Sequence, residues 1–411
     1  MIILFLTSGL LLGWSLGAND ASNIFGTAVG SKMISFRNAA LIASLFVILG
    51  AVVQGSGASD TLGKLGSVNA IGGSFTVALA AAIAVYTMTK FSIPVSTTQA
   101  IVGAIVGWNL FTNNPTDGKT LTGIVSTWIT GPVLGAAFAI LLYILIRYFK
   151  KHSSIHLFRF ESYVRTGLIL VGAFGAYSLG ANNIANVMGV FVPSFHLADL
   201  DLGIVTLSSS QQLFLLGGIA IATGIITYSD RVMQVVGNNI VDLSSESALV
   251  VVLSQALVLF IFSSSAFSSF VQSLGLPRIP MVPVSSTQVI IGSVIGIGLF
   301  KGARNINFRI LGDIAKGWIA TPLFAGLLSF FSLFFVKNIF GIDVGQKIPP
   351  GTETVIKAGM GPDPGISGIM QYLIISLLIA GTLVLVLFFA HDLKRKKELQ
   401  KSEEKFWKNL K

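Results

Sequence analysis

The sequence predicts an all-α integral membrane protein, a polytopic helical bundle of two inverted-topology repeats with broken helices and re-entrant hairpins. Three observations predict it. Of 411 residues, 53% are hydrophobic and only 11% are charged, against about 25% charged in a soluble globular domain. Charge-free runs at 121–146, 203–228, 249–274 and 366–390 each exceed the roughly 20 residues that cross a bilayer. A soluble core would need charged faces at helical spacing, which these runs lack. Finally, motifs of the first half return in the same order in the second, in surroundings of opposite charge.

Three landmarks establish the repeat. Ser15-Leu-Gly-Ala-Asn-Asp-Ala-Ser-Asn23 returns as Ser178-Leu-Gly-Ala-Asn-Asn-Ile-Ala-Asn186, 163 positions later. Pro94-Val-Ser-Thr-Thr-Gln99 returns as Pro283-Val-Ser-Ser-Thr-Gln288, 189 positions later, and Trp128 with Pro132 as Trp318 with Pro322, 190 positions later. The growing offset gives the second half about 26 extra residues between its first two landmarks, which predicts longer loops there.

Charge sets the orientation of the elements. The loop after the first span holds Lys32 and Arg37, whereas its counterpart holds Asp199 and Asp201. The loop after Gln99 carries Asp117 and Lys119, whereas that after Gln288 carries Lys301, Arg304 and Arg309. By the positive-inside rule these alternate between the two membrane sides. Arg147, Lys150, Lys151, Arg159 and Arg165, and the tail from Lys394 to Lys411, mark cytoplasmic segments. The resulting organisation is a first repeat at 1–146, a short cytoplasmic connector at 147–165 and a second repeat at 166–337. An external loop at 338–367, an additional transmembrane helix at 368–392 and a basic cytoplasmic tail at 393–411 follow. The predicted location is the plasma (inner) membrane, multi-pass, with the N-terminus outside. Met1 to Leu16 lacks a basic leader and reads as a first span rather than a cleaved signal. Residues 68–110 and 246–300 fit either two spans or a re-entrant hairpin each; the Pro-Val-Ser turns favour the hairpin.

Several function classes are excluded. There are no cysteines, and His152, His156, His196 and His391 all sit at loops or span ends, which leaves no thiolate site or intramembrane histidine relay. The net charge of +10 resides in juxtamembrane clusters, so no nucleic acid is expected. No acid-base pair or nucleophile-base combination stands at usable spacing, so the chain reads as no enzyme.

The motifs carry the remaining chemistry. In Pro94 to Gln99, a proline, three hydroxyls and an amide precede an apolar run, a pattern that predicts a helix beginning at the proline. Free backbone N–H groups and the positive end of the helix dipole would attract an anion there. Pro283 to Gln288 offers the same from the other half. Gly17 to Asn23 interrupts an apolar helix with small and amide residues. The break is expected to free carbonyls that, with amide oxygens and the Asp20 carboxylate, make a hard-oxygen set for a cation. Gly180 to Asn186 matches it without the carboxylate. Neither motif holds Lys or Arg, so a bound anion would be balanced by helix termini and a co-bound cation.

At these residues the chain closely resembles the inorganic phosphate transporter (PiT) family, with its Gly-Ala-Asn-Asp signature and paired Pro-Val-Ser-[Ser/Thr]-Thr segments. The resemblance spans essentially the whole chain. It implies import of inorganic phosphate by symport with sodium, both bound at mid-membrane between the repeats. Phosphate would meet Ser96, Thr97, Thr98, Gln99, Ser285, Ser286, Thr287, Gln288, Asn19 and Asn182. Sodium, the coupling ion and the sole cofactor-like species, would meet Asp20, Asn23, Asn183 and Asn186, with Thr98 and Thr287 also cation-facing. Asp60 resembles a family acid tied to coupling, and Asp230-Arg231 a loop signature. A long cytoplasmic insert is missing between the halves, as in prokaryotic forms. A proton-coupled phosphate symporter or a sulfate permease on the same scaffold are the alternatives. The partners implied are phosphate, sodium and the lipid bilayer, with a homodimer left open.

Overall fold

The structure is a computed structural model that describes residues 2–90, 95–152, 157–203, 205–239, 244–302, 308–346 and 367–381. In the first half, the helices are α1 (Ile2–Asp20), α2 (Ser22–Gly30), α3 (Phe36–Gln54), α4 (Ser56–Leu65), α5 (Ile71–Lys90), α6 (Thr97–Thr112) and α7 (Gly118–His152). The second half holds α8 (Leu157–Met188), α9 (Ser209–Asn239), α10 (Ser245–Ser263), α11 (Ser265–Ser273), α12 (Ser286–Phe300) and α13 (Phe308–Asn338). A last helix, α14, covers Ser367–Gly381.

Among the described residues, α3, α5, α7, α10 and most of α8, α9 and α13 are long and apolar enough to cross a membrane. The chain is a multi-pass membrane protein. Its surface agrees with that solvent: Ile129, Val133 and Leu141 on α7 and Ile319, Leu323, Leu327 and Phe331 on α13 are exposed. The interior is rich in small residues such as Ala39, Ala43, Ala78, Ala81 and Ala100. Lipid is as apolar as leucine, so helices associate through close packing of small side chains rather than through a hydrophobic drive.

The helices pack in reciprocal pairs. α1 lies along α9 as α3 lies along α8, and α6 lies along α13 as α12 lies along α7. Since α6 and α12 begin at the repeated Pro-Val-Ser segments, and α7 and α13 carry the repeated Trp and Pro, each half lends a helix to its counterpart. Two glycine stripes set the register. Gly103 and Gly107 meet Pro322 and Gly326, while Gly292 and Gly296 meet Pro132 and Ala136. Both pairs therefore run parallel. A methyl group at Gly103 or Gly292 would collide with the facing proline carbonyl.

Three sequence expectations need correction. The Gly17 to Asn23 segment is hinged rather than unwound, because Ala21 between α1 and α2 keeps right-handed helical angles (φ −60°, ψ −29°). Its counterpart does not break at all: α8 runs straight through Gly180 to Asn186. The glycines that suggested unwinding serve close approach instead, Gly17 against the Ile221 carbonyl and Gly180 against the Val47 carbonyl. The helices α6 and α12 also begin later than expected. Ser96 and Ser285 are N-caps, each accepting from the backbone N–H three residues on, Gln99 and Gln288, at 3.3 Å. A serine oxygen satisfies an orphan donor that proline at the first position leaves free, so Pro283 lies in the extended segment ahead of the cap. Pro94 lies outside the described residues.

The extra length of the second half goes partly into 189–208, where a turn of five residues, 31–35, serves the first half. That segment folds as an antiparallel pair, β1 (Leu200–Asp201) with β2 (Thr206–Leu207). α14 docks beside it, with the Ala198 N–H donating to Ser367 Oγ at 3.0 Å. The tail 393–411 and most of the 338–367 loop lie outside the described residues.

Candidate functional site

The site forms where the two N-capped helix starts meet. Thr98 Oγ1, in the first turn of α6, donates to the Val284 carbonyl at 3.5 Å, and Thr287 Oγ1, in the first turn of α12, donates to the Val95 carbonyl at 3.2 Å. The two N-termini thus approach head to head. Each presents backbone N–H groups and the positive end of a helix dipole toward the same region. Ser96, Thr97, Thr98, Gln99, Ser285, Ser286, Thr287 and Gln288 are all buried.

The two asparagine motifs close the region from α1, α2 and α8. Asp20, at the end of α1, is 2% exposed. Its carboxylate accepts from Ser286 Oγ at 2.6 Å, Asn19 Nδ2 at 3.2 Å and Asn183 Nδ2 at 3.4 Å. One carboxylate therefore ties α1 to α8 and to the start of α12. Asn186 Nδ2 donates to Thr98 Oγ1 at 2.9 Å and to Asn183 Oδ1 at 3.1 Å, which ties α8 to α6. Asn182 clamps the Val284 peptide, donating from Nδ2 to its carbonyl at 2.7 Å and accepting its N–H on Oδ1 at 3.0 Å. Its amide is thereby committed to shaping the extended segment before α12.

All fourteen site residues expected from the sequence fall in this one cluster or line the helix ends that form it. Asn19 is the least buried of them. Asp60 is not among them: it is exposed on α4, while its neighbour Ser59 is buried. Asp230 lies near the far end of α9, and the Arg231 side chain lies outside the described residues.

Several buried polar atoms in the cluster have no hydrogen-bond partner among the described residues. They are Asn23 Nδ2, Thr97 Oγ1, Asn186 Oδ1 and both amide atoms of Gln99 and of Gln288. Most buried polar atoms in native proteins are paired, and here donors and acceptors are both left over in one place. Hydroxyls, amide N–H groups and two dipoles suit an oxyanion, while the Asp20 carboxylate and amide oxygens suit a hard cation. Two other buried atoms without a partner among the described residues, which sequence reasoning missed, are the indole Nε1 of Trp128 and of Trp318. The signal was present, since both tryptophans are landmarks of the repeat.

The model of the Phosphate transporter family matches residues 16–329. The chain belongs to that family. A Thermococcus kodakarensis protein provisionally named as a phosphate permease is 28% identical over 83% of this chain and 98% of its own. A Pyrococcus horikoshii protein of the same provisional name is 27% identical over 80% of this chain and 96% of its own. A solved structure described as the sodium-dependent phosphate transporter superposes with a TM-score of 0.65 at 24% identity, covering 82% of this chain and 99% of that one. The family is one of transporters, not enzymes, and the chain shares the fold of that structure.

Proposed function

We propose that this phosphate transporter family member imports inorganic phosphate by symport with sodium, with both ions bound at mid-membrane between two inverted halves. The observation that carries the reading is the head-to-head meeting of α6 and α12 beside the buried Asp20 carboxylate. The two helix starts hold the oxyanion with their N–H groups, that of Ser286 included, and with Thr97, Gln99 and Gln288, while the Ser286 hydroxyl donates to Asp20. Asn19 closes the edge, and Asn182 acts through the Val284 peptide that it holds. Asp20, Asn23, Asn183 and Asn186 supply oxygens to sodium, and Thr98 and Thr287 lie between the two ions.

The inverted arrangement, with 1–146 and 166–337 as its halves, is supported by the reciprocal exchange of parallel helix pairs. Helices α6 and α12 leave a common centre from facing N-termini, so they run to opposite membrane surfaces. Charge asymmetry supports an outside N-terminus, a cytoplasmic tail and a plasma (inner) membrane location. A site inside the membrane is supported by the length of α6 and α12, which at 16 and 15 residues are each about 23 Å long, too short to cross the roughly 30 Å hydrocarbon thickness.

The test is uptake of labelled phosphate into proteoliposomes under an imposed sodium gradient, compared with an imposed proton gradient and with labelled sulfate as competitor. Sodium-driven accumulation that sulfate leaves unchanged is the expected result. Accumulation driven by the proton gradient alone would replace sodium as the coupling ion, and equal competition by sulfate would overturn phosphate as the substrate.

A further inference from the structure

The repeated tryptophans have no part in the site as described so far, yet the packing register brings them to it. On α6 the residues Gln99, Gly103 and Gly107 recur every fourth position and form one stripe, and on α13 so do Trp318, Pro322 and Gly326. Gly103 meets Pro322 and Gly107 meets Gly326, so one turn earlier Trp318 stands level with Gln99. The second pair repeats this arrangement. Gly292 meets Pro132 and Gly296 meets Ala136, which sets Trp128 level with Gln288. Gln99 and Gln288 are each the third residue of their helix, within one turn of the facing N-termini. Gln99 is 0% and Gln288 1% exposed. In both pairs the same atoms are buried without a partner: both amide atoms of the glutamine and the indole Nε1.

The chemistry of these groups restricts how they satisfy one another. An indole N–H only donates, while a primary amide has one accepting oxygen and a donating amino group. We infer that Trp318 and Trp128 are positioning residues that turn the amide oxygens of Gln99 and Gln288 toward themselves, so that both amino groups face the helix starts and donate to the oxyanion. The opposite orientation, with the oxygen on a cation, would set amino group against indole donor and leave the buried N–H unsatisfied. The two glutamines are thereby assigned to the anion and not to sodium, and each half controls its partner's glutamine from across the interface. This assignment rests on the phosphate and sodium reading given above.

The test uses Trp318→Phe and Trp128→Phe, which delete the N–H and keep an aromatic ring, in the full-length protein reconstituted in proteoliposomes. Each is expected to raise the phosphate KM about three- to tenfold, the range that one neutral hydrogen bond supplies. The sodium concentration for half-maximal rate, at saturating phosphate, is expected to stay the same. In a Gln99→Leu background, Trp318→Phe should add nothing further while Trp128→Phe keeps its full effect, since coupled residues fail to add and independent ones do not. A purely structural role would lower the amount of folded protein or the maximal rate with both half-saturation values intact, and that outcome overturns the inference. So does a shift in the sodium value in place of the phosphate KM, or full additivity of Trp318→Phe with Gln99→Leu. Absence of phosphate uptake by the unaltered protein would instead remove the functional reading beneath it.

Discussion

Replacing Asp20 with asparagine separates the structural from the ionic role of the site's one motif carboxylate. The side chain keeps its shape and one accepting oxygen, so Ser286 Oγ, now 2.6 Å from Oδ2, can still pair with the amide. A hydrogen bond to a charged group is worth about 1.5–3 kcal/mol and a neutral one about 0.5–1.5, so the fold loses about 1 kcal/mol at that contact. Burying a neutral amide where a carboxylate stood returns part of it by avoiding desolvation. The melting temperature in detergent should therefore move by only a few degrees. On the proposed reading, sodium binding should respond more strongly, because the substitution removes the only formal negative charge within the repeated motifs. Unit charges about 4 Å apart attract by roughly 4 kcal/mol at an effective dielectric of about 20. Even if desolvation cancels two thirds of that, about 1.4 kcal/mol remains, which is tenfold in affinity. The assay is phosphate uptake in proteoliposomes as a function of sodium concentration, with a rise of about tenfold or more in the half-saturating value expected. A folded Asp20→Asn protein with an unchanged sodium dependence would refute the assignment of Asp20 to the cation.

Two further substitutions test the packing. Gly103→Ala and Gly292→Ala each push a methyl into a proline carbonyl, and overpacking of this kind costs about 1–3 kcal/mol. Gly63→Ala on α4 meets nothing within 4 Å and should gain up to about 1 kcal/mol from helix propensity, so thermal melts of the three should differ in sign. Asn182→Ala removes the acceptor of the Val284 N–H and leaves the Val284 carbonyl only the longer 3.5 Å bond from Thr98 Oγ1. A buried group left unpaired costs about 1–3 kcal/mol, which predicts a lower melting temperature together with a higher phosphate KM in uptake assays.

Much of the site was legible because its residues come in copies. The two Pro-Val-Ser segments and the two asparagine motifs could be matched by eye, and every one of them reaches the cluster. What could not be read was which element each residue contacts. Gly17 and Gly180 looked like helix breakers, since a glycine's cost in helix propensity is visible in one dimension while a carbonyl of a distant helix pressed against it is not. Asn182 looked like a ligand, yet its amide is spent on the Val284 peptide more than a hundred residues away. Trp128 and Trp318 were visible as landmarks, but their relation to Gln288 and Gln99 depends on a parallel register between helices of different halves. The strands at Leu200 and Thr206 are two residues each, too short to leave an alternating pattern. Asp60 was credited by family likeness alone, and the helix carrying it turns the side chain outward.

On the proposed symport reading, charge balance connects the site to the number of cations that move. The four repeated motif segments contain no Lys or Arg, so positive charge comes from the two helix starts, roughly half a unit each. Ionised Asp20 offsets about all of it. A singly charged phosphate entering this low-dielectric region leaves about one negative charge uncompensated, and a doubly charged one leaves about two, which burial makes costly. On the proposed reading, one sodium neutralises the first and two neutralise the second. The apparent Hill coefficient for sodium should rise from near one toward two as the external pH is raised through the second ionisation of phosphate. Uptake measured across that range, with membrane potential clamped, checks the arithmetic. A coefficient indifferent to pH would mean that the helix starts and Asp20 do not set the charge the cations must balance.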